Sequence, residues 1–135
     1  MTLWERRRAL MAMQAAPEPQ ELYPVGTDVK AMYAPYPGSW SGSKAISTST
    51  GEIISGSSYV NPNYIPISPD YTYQKNGQRM DYNAWYDADY NFISSFREYN
   101  TSVKALPAAP ANARYLRISS NSGTAASALK ITRTA

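Results

Sequence analysis

Asp87, Asp89, Asn91 and Glu98 are spaced like the first, third, fifth and twelfth positions of a calcium-binding loop, where carboxylate and amide oxygens surround a hard cation. The sixth position, where such a loop turns sharply on glycine, is Phe92, and both flanks read as strands rather than helices. The segment therefore reads as a hairpin turn whose Asp and Asn side chains accept from nearby backbone amides, and no metal is expected. Paired carboxylates are the remaining route to catalysis, with Asp70, Asp81, Asp87, Asp89 and Glu98 as candidates. Asp81 and Asp87 share a strand face but stand about 20 Å apart, too far to work as a glycosidase pair. No enzyme activity is expected.

A binding reading is more productive. Sugars present apolar faces to aromatic rings and hydroxyls to Asp, Asn and Arg. Alternation along Met80–Asp87 sets Met80, Tyr82, Ala84 and Tyr86 on one face and Asp81, Asn83, Trp85 and Asp87 on the other. Trp85 with Asn83 and Asp87 is thus a candidate ligand-binding group. Arg117 joins it, because its neighbours Leu116 and Ile118 would point inward. Tyr71, Tyr73, Tyr82, Tyr90 and Tyr99 supply further rings. The alternative is that Trp85 and most of the tyrosines are packing residues of a Tyr-rich sandwich.

Composition narrows the field. The 135 residues suit one globular domain, and 43% hydrophobic content supports a real core. The chain has no Cys and no His, which removes disulfides, thiolate nucleophiles, Ser-His-Asp triads and the common zinc sites. Thirteen basic and ten acidic side chains leave a net charge of +3, concentrated at Arg6, Arg7 and Arg8. That is too little for a nucleic-acid footprint. No apolar run is long enough to cross a membrane, and the stretch up to Ala16 is too short, and interrupted by Gln14, to serve as a signal peptide.

The elements that must position these residues fall into two parts. Residues 1–16 read as a short helix, capped by Thr2 with Glu5 three residues on and stopped by Pro17 and Pro19. Leu3, Trp4, Leu10 and Met11 form its apolar stripe opposite the arginines, an anchor or oligomer contact. A helix this short is marginal alone and needs something to pack on. Residues 17–43 read as an extended, proline-rich arm lying on a surface, its own or a neighbour's. Residues 44–135 read as about eight strands between turn signals, a β-sandwich. Expected strands are 45–49, 52–55, an edge strand at 64–67 broken by Pro66, 71–74 running into an Asn76-Gly77 hairpin, 80–87, 92–96, 99–103, 114–119 and 129–134. Ser120–Ser127 reads as a flexible loop.

Three phrases occur in order: Tyr64-Ile65-Pro66-Ile67-Ser68-Pro69 with Thr72-Tyr73, then Ala84-Trp85-Tyr86-Asp87-Ala88-Asp89-Tyr90-Asn91-Phe92-Ile93-Ser94, then Pro110-Ala111-Asn112-Ala113-Arg114-Tyr115-Leu116-Arg117-Ile118-Ser119. As a set they resemble a module of phage and prophage virion proteins of Gram-positive bacteria. The resemblance implies an all-β, jelly-roll-like antiparallel β-sandwich, similar to carbohydrate-binding modules and found in tail, fibre and capsid-surface proteins. With the helix and arm in front, it implies a structural virion protein assembled in the bacterial cytoplasm. Such a protein would dock on other virion proteins through residues 1–43, group as homotrimers and face host-surface glycan. The alternative is a carbohydrate-binding accessory module of a bacterial surface protein. Neither reading calls for a cofactor, nucleic acid or membrane insertion.

Overall fold

The computed structural model describes Thr2, residues 24–29 and residues 40–135. The expected helix with Leu3, Trp4, Leu10 and Met11, and most of the arm, lie outside the described residues.

The described chain is all-β, an antiparallel sandwich of two sheets. Its strands are β1 (Ser41–Ile46), β2 (Ile53–Ser55), β3 (Ser58–Pro66), β4 (Tyr73–Lys75), β5 (Tyr82–Tyr86), β6 (Phe92–Arg97), β7 (Lys104–Ala105), β8 (Tyr115–Ser120) and β9 (Ile131–Arg133), with a short helix α1 (Gly123–Ala128) before β9. A six-stranded sheet runs β2-β1-β3-β8-β5-β6 and a three-stranded sheet runs β7-β4-β9.

The two sheets enclose the main core. Ile65, Trp85, Leu116 and Ile118 of the large sheet meet Tyr73 and Ile131 of the small one, with Val29, Met80, Leu106 and Leu129 filling in. The other face of the large sheet curls over a second cluster of Ile46, Val60, Ala84, Tyr86 and Tyr115, flanked by Ile53, Tyr64 and Phe92. The β1–β2 loop is drawn across that face. The Tyr86 hydroxyl donates to the Gly51 carbonyl, and Ser95 Oγ donates to the Thr48 carbonyl at 3.3 Å. Gly51 has φ +71°, and a Cβ there would fall 2.5 Å from the Phe92 ring, so conformation and space both require glycine.

Burial on both faces overturns the expected polar face of β5. Asn83 and Ala84 are fully buried, and Trp85 and Tyr86 are each 2% exposed. Buried Asn83 is satisfied: its Nδ2 donates to the Asp81 carbonyl at 2.9 Å, and its Oδ1 accepts from the Ser119 amide at 3.0 Å. It therefore stitches β5 to β8.

Other expectations are corrected as well. The segment around Pro66 is not at an edge; β3 lies between β1 and β8. Its prolines are tolerated because the β3–β8 register shifts between Asn61 and Ile65, around Pro62, and because Pro66 is the last strand residue. The Pro62 carbonyl accepts from Arg117 Nε at 3.1 Å. Asn76-Gly77 does not join paired neighbours, since β4 pairs with β7 and β9. It wraps instead around Lys75, whose buried ammonium donates to the carbonyls of Asn76, Gln78 and Ser102 at 2.8–2.9 Å. No strand forms over 99–103. The expected Ser120–Ser127 loop instead holds all but the last residue of α1, capped by Ser122 Oγ accepting from the Ala125 amide at 3.1 Å.

Residues 24–29 of the arm lie on the edge of β9. The Gly26 amide donates to the Arg133 carbonyl at 2.8 Å, and the Arg133 amide donates to the Thr27 carbonyl at 3.0 Å. Asp28 bridges Thr132, and Val29 is fully buried in the main core. This part of the arm covers an otherwise open strand edge of its own domain.

Candidate functional site

The turn between β5 and β6 builds the site. The Asp87 amide donates to the Asn91 carbonyl at 2.9 Å and the Tyr90 amide to the Asp87 carbonyl at 3.0 Å. Asp87 Oδ1 accepts from the amides of Asp89 and Asn91, each at 2.9 Å. The Asn91 amide foremost, then the Asp89 amide and the Asn91 side chain, hold the Asp87 carboxyl below the usual carboxylate value. The sequence-level reading of a turn closed on its own amides is what this geometry displays.

Closing a hairpin this way places Tyr90 in the left-handed region, at φ +66°. Glycine is the favoured residue there, and a side chain costs about 1 kcal/mol. The ring offsets this by packing. It stacks on Tyr115 with centroids 4.7 Å apart and planes at 17°, and it meets Tyr64 edge-on at 4.7 Å and 61°. Tyr64 in turn packs edge-on against Tyr86 at 5.0 Å and carries the Arg117 guanidinium 4.0 Å above its ring. Burial raises the Tyr86 hydroxyl above its ordinary pKa, so it stays a neutral donor to Gly51. Tyr90 remains 47% exposed despite these contacts. The result is an aromatic platform, backed by Tyr115 and walled by Tyr64, with Arg117 over Tyr64 and the Asp87–Asn91 turn carrying the ring. Such a surface suits a ligand with an apolar face and hydroxyl edges.

The residues expected from sequence divide accordingly. Asp87 and Arg117 belong to this neighbourhood. Trp85 points to the opposite face and stacks on Phe96 in the main core, with centroids 5.2 Å apart. Asn83 is buried with both ends of its amide occupied. Neither is presented to a ligand. Of the other rings, Tyr73 is in the main core, with its hydroxyl accepting from the Ser68 amide at 3.1 Å, and Tyr71 lies 3.5 Å below Arg133. Tyr64 and Tyr115 were not singled out from sequence. The available signal was a tyrosine at the glycine position of the five-residue turn Asp87-Ala88-Asp89-Tyr90-Asn91.

The carboxylates are held apart. Asp81 pairs with Arg97 Nε at 3.2 Å and accepts from Ser58 Oγ. Glu98 stands just beyond the far end of β6 and pairs with Lys104 at 3.4 Å. It is therefore a strand length, about 20 Å, from Asp87, and the calcium spacing does not close in space. Among the described residues no cluster of three His, Cys, Asp or Glu side chains is placed to hold a metal, and no helix is long and apolar enough to cross a membrane. Comparison of the chain with protein-family models, with curated proteins and with solved structures gave no match.

Proposed function

We propose that this chain displays a β-sandwich for binding rather than catalysis, and that the Tyr90 platform is where it meets a carbohydrate. The observation that carries the reading is Tyr90 itself: a large ring kept nearly half exposed in a backbone conformation that favours glycine. Strain of this kind, held by the surrounding packing, clusters at functional sites. The phage-particle reading rests on the three phrases between Tyr64 and Ser119, which resemble virion modules. In it, the parts of residues 1–43 other than residues 24–29 and the start of β1 dock on other virion proteins, copies group as trimers, and weak contacts with host-surface glycan are multiplied by the number of copies. The paired Asp81 and Glu98 and the turn-bound Asp87 support binding over hydrolysis.

The test is binding of the full chain to an array of bacterial surface polysaccharides, with Tyr90→Gly and Arg117→Ala beside it. Binding abolished in a folded Tyr90→Gly variant supports the reading. Equal binding by wild type and Tyr90→Gly overturns the site, and no binding across the array overturns the ligand class. Deleting residues 1–20 is expected to abolish incorporation into particles; unchanged incorporation overturns the docking role.

A further inference from the structure

A second group of aromatic and cationic side chains lies at the opposite end of the β5–β6 hairpin. Tyr99 carries two arginines: the Arg79 guanidinium carbon is 3.9 Å from its ring centroid and that of Arg97 is 3.3 Å away. The two positive centres are thus within about 7 Å of each other, inside the screening length at physiological salt. Arg97 also lies over Tyr82, its cross-strand partner, at 4.6 Å.

The two cations are not equally compensated. Asp81 serves Arg97 and Ser58. Among the described residues Arg79 has no ion pair and no hydrogen-bond acceptor, and its Nε is buried without a partner. A guanidinium N–H buried without an acceptor is costly, and two like charges on one ring repel. The backbone nevertheless holds them in place. The Met80 amide donates to the Glu98 carbonyl at 3.1 Å, the Glu98 amide donates to the Asp81 carbonyl at 3.3 Å, and Ser120 Oγ donates to the Arg79 carbonyl. This is a held pair of five-donor forks, of which only Arg97 has a carboxylate partner.

We propose that Arg79 and Arg97, supported by Tyr99, form an anion site for a phosphate group. Two forks on one ring present more donors than a two-oxygen carboxylate accepts, whereas a phosphate offers oxygens to both. The site is separate from the Tyr90 platform and does not depend on the glycan reading.

The experiment is a titration of the full-length, nitrogen-15-labelled chain with inorganic phosphate at constant ionic strength, read at the arginine Nε–H resonances, with chloride and acetate as parallel arms. Saturable shifts of Arg79 and Arg97 with phosphate, weakened about tenfold or more in Arg79→Ala, are expected. Arg79→Lys keeps the charge without the fork and is expected to bind more weakly than wild type. Shifts that chloride reproduces, or no saturable shift, overturn the site, and tighter binding of acetate overturns the phosphate assignment. The wild-type spectra decide the matter even where a variant fails to fold.

Discussion

Tyr90 and Tyr115 stack at 4.7 Å although the backbone of Tyr90 stands at φ +66°. The aromatic contact and the strained turn oppose each other in energy, and the balance is measurable. Stacking is worth about 0.5–1.5 kcal/mol, close to the left-handed penalty. Tyr90→Gly removes both, so its stability is expected within about 1 kcal/mol of wild type. Tyr90→Ala loses the ring and keeps the strain. Urea denaturation is expected to rank Ala below Gly at this position by about 1 kcal/mol, the reverse of their order in an ordinary strand.

Trp85→Ala is expected to behave as a core deletion. With Trp85 2% exposed and stacked on Phe96, the loss is about 3–5 kcal/mol, read as a lower denaturation midpoint with a largely unchanged slope. A loss below 1 kcal/mol would contradict its placement between the sheets.

Lys75 is the largest charged commitment of the small sheet. Lys75→Met fills similar volume but leaves the carbonyls of Asn76, Gln78 and Ser102 without its ammonium. The expected cost is about 2–4 kcal/mol by equilibrium unfolding. Amide exchange should rise first in the segments that end on these carbonyls.

The Asp87 carboxyl gives the hairpin a pH dependence of known sign. Its folded pKa lies below the ordinary value of 3.8, so the folded state binds fewer protons than the unfolded state as pH falls. The stabilisation is complete above that value and is lost as pH drops through the lowered folded pKa. Carboxyl carbon-13 titration should show Asp87 titrating below 3.8, with the Asp89 and Asn91 amides following it. In Asp87→Asn that acid-range response of the two amides should vanish.

Local chemistry made much of the fold legible. The Thr50-Gly51 turn, the β5–β6 hairpin with its amide-bound Asp87 and the alternation of Leu116, Arg117 and Ile118 all follow from turn residues and period-two patterning. The β3 segment was harder to read because Pro62 and Pro66 signal an edge, and only the register shift against β8 lets them sit inside a sheet. Asn76-Gly77 misled for a related reason. A turn dipeptide fixes the local chain reversal but not the partner strand, and β4 finds its partners about 30 and 60 residues downstream.

What the amino-acid sequence determined by itself was a β-rich chain without His or Cys chemistry, rich in rings, with an Asp87–Asn91 turn closed on its own amides. Those properties depend on residue type and near-neighbour spacing. Only the tertiary structure decided which rings meet solvent. Period two says that Trp85 and Tyr86 face opposite ways, but not that both faces are covered. The small sheet buries one face and the curl of the large sheet buries the other, so Trp85 and Asn83 withdraw into contacts. Tyr90, lifted by a left-handed turn onto Tyr115, is left at the surface. Exposure depends on long-range packing, which alternation along a single strand does not encode.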